Sequence, residues 1–327
     1  MGAGNTNVKS KWIDGNLWFK DKSGNTLMYL DGANGLIGSV GINTPGKVYY
    51  VEANAGDDDN DGLTWNTAYK TLVVAMAASH ANIAASSSGW AARNRIYYKG
   101  DPTATADAEH LTKLAQKTDI IGVGSTDWKA KSQLIGNHVI PTTNSYPGCR
   151  FINMMFKGTI ASGGDIFTIT DQHGVEFIDC EFMGDSTIAA TAAVIATACV
   201  SLKFKNCVTK GAYSDAVIEI GAGQADDFEV VDCLIQGANM GIDISASATF
   251  VAGKYGLIKD NVFRTTLACI NDGESKCYVV GNRGSTAAAS GVALAGAVVC
   301  NIALAQDNRF TTSSDNNIEY PALGSIT

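Results

Sequence analysis

The 327-residue sequence predicts an all-β chain wound as a right-handed single-stranded parallel β-helix of about 26 residues per coil, with one capping α-helix and an N-terminal β-hairpin. Three observations predict it. Two separate columns of residues recur with one period. Glycine is frequent (35 residues) and proline rare (5), as many left-handed turns joined by long backbone ladders require. Charged residues make up only 17% of the chain, below the usual quarter, so small polar residues or neighbouring subunits are expected to cover much of the surface.

The first column comes from seven aligned segments: Phe151–Phe156 (FINMMF), Phe177–Phe182 (FIDCEF), Phe204–Val208 (FKNCV), Val230–Ile235 (VVDCLI), Ile258–Phe263 (IKDNVF), Val279–Arg283 (VVGNR) and Ala305–Phe310 (AQDNRF). Their third positions are Asn153, Asp179, Asn206, Asp232, Asp260, Gly281 and Asp307, separated by 26, 27, 26, 28, 21 and 26 residues. Helical repeats run at about 33 residues or more, and leucine-rich repeats need a leucine consensus that is missing here. Asp, Asn and Gly tolerate the left-handed region, so each third position reads as a bend that breaks strict alternation. The bend turns Phe177, Cys180 and Phe182 inward and Glu176 and Glu181 outward. Cys180, Cys207 and Cys233 then stack as buried thiols, and Asn261, Asn282 and Asn308 continue the file as an amide ladder.

A second strand per coil spans Asp165–Ile169, Ala193–Ile195, Ala216–Ile220, Gly241–Ile244 and Leu267–Ile270. Its closing isoleucines, Ile169, Ile195, Ile220, Ile244 and Ile270, lie 26, 25, 24 and 26 residues apart and are expected in the core. The core ladder thus comprises Cys180, Cys207, Cys233, Ile195, Ile220 and Ile244.

Upstream, Val48–Leu72 (VYYVEANAGDDDNDGLTWNTAYKTL) gives a strand at Tyr49–Val51, a Gly-Asp-rich turn and a helix. Asn66 or Thr67 is positioned to cap that helix, which runs near 66–85. Leu72, Val73, Ala75, Met76 and Ala77 would plug the open end of the solenoid. Arg95–Tyr98 and Thr118–Gly124 follow as the first coils. This stretch resembles the opening of pectate-lyase-like parallel β-helix proteins, over roughly residues 47–310. The resemblance implies the fold and leaves activity open, since lyases, hydrolases, adhesins and virion proteins share it.

Residues 1–46 differ and form a separate segment, with 47–327 as the solenoid. Asn16–Leu30 reads as a hairpin turning at Ser23, Gly24 and Asn25. Gly15–Asp21 (GNLWFKD) resembles hairpins at the start of bacteriophage fibre, tail-spike and capsid-attached proteins, which are commonly homotrimers. A lone hairpin is unstable and needs a partner surface. Trp18, Phe19, Met28 and Tyr29 are the attachment candidates.

A net charge of −8 argues against a nucleic-acid binder or an anionic-membrane binder, and no apolar run is long enough to span a bilayer. No cofactor is expected. Asp57, Asp59 and Asp61 could offer Ca²⁺ ligands, but they lack the EF-hand spacing and suit a self-bonded turn better. Glu219 and Asp243 are expected to project from adjacent coils, at a separation that suits a retaining glycosidase pair. A polar column facing solvent or a subunit is the preferred reading, because no aromatics accompany them. Arg264 and Lys254 are possible bases for lyase chemistry, without a matching Asp ladder. His173 follows Asp171 in a turn rather than forming a dyad, and His80, His110 and His138 have no nameable partners.

The expectation is a structural virion surface protein: capsid decoration, head fibre or short tail spike. It would be homotrimeric, assembled in the host cytoplasm, joined to other virion proteins through residues 1–46, with a host surface glycan as a further candidate partner. The alternatives are a polysaccharide-degrading tail spike (glycoside hydrolase or pectate-lyase-like lyase) and a cell-surface adhesin or filament subunit.

Overall fold

The computed structural model describes residues 9–13, 16–20, 26–31, 37–39, 46–85, 92–101, 109–124, 131–142, 148–158, 164–184, 191–273, 277–287, 294–295, 305–311 and 318–320. Three parallel ladders run the length of a right-handed β-helix. The first has ten strands, from Val48–Glu52 to Ala305–Gln306. The second has eight parallel strands, from Ser132–Ile135 to Asn308–Thr311, closed by antiparallel Ile318–Tyr320. The third has seven, from His138–Ile140 to Leu294–Ala295. Each coil visits them in order: Arg150–Ile152, Met154–Lys157, Phe167–Thr170, then Glu176–Ile178 to begin the next.

One or two residues separate first-ladder from second-ladder strands, and the first of them decides the shape. Asn153, Asp179, Asn206, Asp232, Asp260, Gly281 and Asp307 all take positive φ, between 52° and 68°. The left-handed residue reverses the alternation, so Phe177 and Cys180 on either side of Asp179 both enter the core. Parallel register then places like on like. Phe151, Phe177 and Phe204 stack with ring centroids 5.3 and 5.2 Å apart and planes within 13°. Phe156 lies on Phe182 at 5.5 Å.

The file beside them follows the expected order. Cys180, Cys207 and Cys233 are buried and unbridged. The Cys207 N–H donates to Cys233 Sγ (3.4 Å), and the Cys233 N–H donates to Asn261 Oδ1 (2.8 Å). The Asn261 N–H donates to Asn282 Oδ1 and the Asn282 N–H to Asn308 Oδ1, both at 2.9 Å. Each amide also donates to a backbone carbonyl: Asn261 to Val230, Asn282 to Ile258 and Asn308 to Val279. Buried amides are tolerated because both ends are satisfied.

Two expectations of facing, one inward and one outward, are corrected. Ile195 is not in the core ladder: it pairs with Thr168 and Glu219 on the outward side, while Val194 and Ala196 face in. The inward files are Ile169, Ala196, Ile220, Ile244, Asp272 and Phe167, Val194, Ile218, Ile242, Ile270. Turn lengths vary by a residue between coils, and a one-residue slip exchanges the two faces of a strand. Glu181, expected outside, is 1% exposed, with Lys210 Nζ 3.4 Å from Oε1.

The capping helix is Leu72–Ala85, preceded by a 3₁₀ turn at Trp65–Thr67. Asn66 and Thr67 do not cap it. Asp58 Oδ1 accepts the Lys70 and Thr71 N–H groups (2.9 and 2.8 Å), and Glu109 accepts those of Leu72 and Val73 (2.8 and 3.0 Å). Leu72, Ala75, Met76, Ser79 and Ile83 face the core, whereas Val73 and Ala77 are exposed. No helix among the described residues is long and apolar enough to cross a membrane.

Before the solenoid, strands Lys9–Ile13, Asn16–Lys20, Thr26–Asp31 and Ile37–Ser39 form a four-stranded antiparallel sheet, two strands more than the expected hairpin. The turn residues Ser23, Gly24 and Asn25 lie outside the described residues.

Candidate functional site

The outward column of the third ladder runs Val139, Thr168, Ile195, Glu219, Asp243, Asn271. Glu219 and Asp243 are directly paired, so their backbones stand one strand spacing apart, about 4.8 Å. The register brings two further carboxylates close. Asp165 accepts the Ala192 N–H and the Thr168 hydroxyl, each at 3.1 Å. Asp215 stands exposed near the start of the Glu219 strand.

Electrostatics within this group are one-signed. Desolvation raises the pKa of Glu219 first, and the charges of Asp215, Asp243 and Asp165 add to it. Desolvation also raises Asp243, opposed by the Asn271 amide that donates to Oδ1 at 2.6 Å. Asp165 is raised by burial, with Asp215 contributing and the Thr168 and Ala192 bonds opposing. No described cation lies within ion-pair distance of these four carboxylates. Glu219, Asp243 and Asp165 therefore hold their protons more tightly than free carboxyl groups do. A retaining glycosidase, by contrast, needs its two carboxylates pushed apart, one protonated and one ionised. Both members here are shifted the same way. The described column has no aromatic, and residues 159–163, 185–190 and 288–293 contain none in sequence.

The other sequence candidates are placed as follows. Asp57 Oδ1 accepts the Asp59 N–H (3.1 Å), and Asp61 Oδ1 accepts the Leu63 N–H (3.0 Å) and the Thr67 hydroxyl (2.7 Å). These are side chains folding their own turn. No group of three or more His, Cys, Asp or Glu among the described residues is arranged to hold a metal ion. Lys254 pairs with Asp227 at 2.8 Å, and Arg264 lies on the second ladder opposite Gln236. His173 Nε2 is 3.3 Å from Asp171 Oδ1 within one turn.

Two histidines do have partners, contrary to expectation. His110 Nδ1 is 3.0 Å from the Asn137 carbonyl, and the Leu111 N–H donates to His138 Nδ1 at 3.2 Å. His138 is fully buried between Phe156 and Phe167, and desolvation lowers its pKa to about 3. A small apolar cavity of about 160 Å³ sits at the capped end, between the helix and Leu114.

Among the attachment candidates, Trp18 stands opposite Tyr29 and Phe19 opposite Met28. Trp18 and Phe19 are half-buried; the side chains of Met28 and Tyr29 lie outside the described residues.

No protein-family model matches this chain, and no curated protein matches it. Among solved structures, a rhamnogalacturonan lyase is similar at 12% identity, with a TM-score of 0.43, over 75% of each chain. A likeness that thin leaves the fold resting on the ladders themselves and says nothing of activity.

Proposed function

We propose that this chain is a structural, receptor-facing part of a virus particle, held through residues 1–46 and displaying the solenoid outward. The N-terminal sheet carries this reading. It pairs with none of the ladder strands, and Trp12 on it is 64% exposed, as a surface awaiting a partner would be. The solenoid behaves as scaffold: its buried polar file is satisfied rung by rung, and among the described residues its acidic column has neither cation nor aromatic alongside.

The test is co-sedimentation of the full chain with particles from the source that encodes it. Wild type should pellet with the particles, and a variant with Trp18→Ser and Tyr29→Ser should stay in the supernatant. Equal pelleting of both would overturn the attachment role. The carboxylate pair favours one second reading, a glycoside hydrolase. It gains ground only if the chain releases reducing ends from a polysaccharide and Glu219→Gln abolishes the release.

A further inference from the structure

The outward side of the first ladder carries two columns of different chemistry. One reads, rung by rung, Arg95, Asp119, Arg150, Glu176, Lys203, Glu229. The signs alternate through six consecutive rungs, and apolar Val48 and Leu257 flank the run. Within the chain the alternation forms ion pairs. Arg150 grips Asp119 through two bonds of 2.7 and 2.8 Å, Arg93 reaches the same carboxylate at 2.7 Å, and Lys203 meets Glu229 at 2.6 Å. Arg95 is exposed.

The second column lies two residues further along each strand: Tyr97, Ile121, Ile152, Ile178, Lys205, Val231. The outward positions of a solvated sheet are ordinarily polar. Here three isoleucines follow one another beside a self-neutralised charge ladder, and they are only half-buried. A continuous partly exposed apolar stripe marks an interaction surface.

The order of charges says what fits it. Reversed, the sequence plus, minus, plus, minus, plus, minus becomes its own complement. A two-fold axis along the strand direction, passing between the Arg150 and Glu176 rungs, lays the face on an antiparallel copy of itself. Arg150 then faces Glu176, Asp119 faces Lys203, and Arg95 faces Glu229 across the axis. Val48 faces Leu257, and Ile152 faces Ile178. A two-fold axis along the stacking direction instead lays the charged column on the apolar one. We propose that this face docks on a second copy of the chain, antiparallel, through an isologous contact.

Size sets the strength. Eight rungs at about 4.8 Å, by about 10 Å of strand, give roughly 400 Å² per copy, half the ~800 Å² of a standard interface. The association is therefore a weak one. The two copies place Val48, the start of the solenoid's first strand, at opposite ends of the pair, so on the reading above the pair becomes a strut with two anchors.

Sedimentation of the full chain up to millimolar concentration tests this independently of particle binding. Wild type should show a monomer–dimer equilibrium that weakens with added salt. Arg95→Glu alone and Glu229→Arg alone should each weaken it at least tenfold, with Glu229→Arg melting somewhat lower because it also gives up its pair with Lys203. Their equimolar mixture should recover the wild-type constant to within a few fold, because each variant supplies the charge the other needs. A misfolded variant could not be rescued in this way. Should either charge variant unfold, Ile152→Ser tests the apolar column, and an unchanged constant there overturns the proposal. A mixture as weak as the single variants, a trimer, or a wild-type chain that stays monomeric also overturns it.

Discussion

At the scale of single residues, the fold turns on positions where one backbone angle or one amide decides what neighbouring coils can do. Asp232 has φ 56°, a region that costs an ordinary L-residue about 1–2 kcal/mol and a β-branched one more. Asp232→Gly should leave the melting temperature nearly unchanged, and Asp232→Val should lower it by an amount equivalent to at least about 1–2 kcal/mol. Equal melting of the two variants would show that the turn does not need the left-handed residue. Asn282 is more demanding. It accepts the Asn261 N–H and Nδ2–H (2.9 and 3.0 Å) and donates to the Ile258 carbonyl and Asn308 Oδ1 (2.9 and 3.0 Å). Asn282→Ala strands buried groups on two rungs, at about 1–3 kcal/mol each. Asn282→Cys should lose less, because a thiol sulfur accepts the corresponding backbone N–H at Cys233. Calorimetry on the two variants decides whether hydrogen bonding or mere filling matters in this file. These positions were legible in the sequence because few residue types tolerate them. The period was visible for the same reason.

At the scale of elements, what the sequence hid was register and long-range capping. Ile195 looked like a core residue because isoleucines recurred near the period, yet its rung is one residue out of step and Ala196 takes the inward place. Glu109 was invisible as a cap, since it lies 37 residues from the Leu72 N–H it accepts. Sequence rules for caps look within one turn, whereas a solenoid brings the next coil against the helix. The same limit hid the alternating charges of the first ladder, which exist only once six strands are set in register. Glu109→Ala removes the acceptor of two N–H groups at the helix start, and Leu72 there is fully buried. Caps are worth about 1 kcal/mol each, and a buried orphan donor adds about 1–3. The variant should melt at lower temperature and show early exchange of the Leu72 and Val73 amides. Wild-type protection at those amides would mean that Asp58 alone holds the helix start.

At the scale of the whole molecule, opposing sets of buried and half-buried groups shape the response to pH. Glu219, Asp243 and Asp165 have raised pKa values, chiefly by desolvation, so the folded chain holds their protons more tightly than the unfolded chain. Their ionisation costs stability as pH rises through the folded values, and acidification returns it. His138 works the other way. Its folded pKa is about 3 against 6.5 for the free ring, because burial denies it the charge. Below pH ~6.5 the unfolded chain takes a proton that the native state refuses, so stability falls by about 1.4 kcal/mol per pH unit, reaching about 5 kcal/mol near pH 3. Asp119 adds a loss at the acid end. Burial raises its pKa, but the Arg150 and Arg93 contacts outweigh that and hold it below the ordinary value. In a solenoid each coil is stabilised by its neighbours, so a charge forced into the His138 coil loosens the coils on both sides. Calorimetric scans from pH 7 to pH 4 should separate these contributions. Wild type should lose melting temperature on acidification. His138→Gln, which keeps an acceptor for the Leu111 N–H, should lose much less. Glu219→Gln should start higher at pH 7, having one carboxylate fewer in the acidic column, and then fall more steeply than wild type, since it lacks one group whose protonation offsets the loss at His138. If the His138→Gln scans run parallel to wild type, the acid sensitivity has its origin elsewhere in the chain.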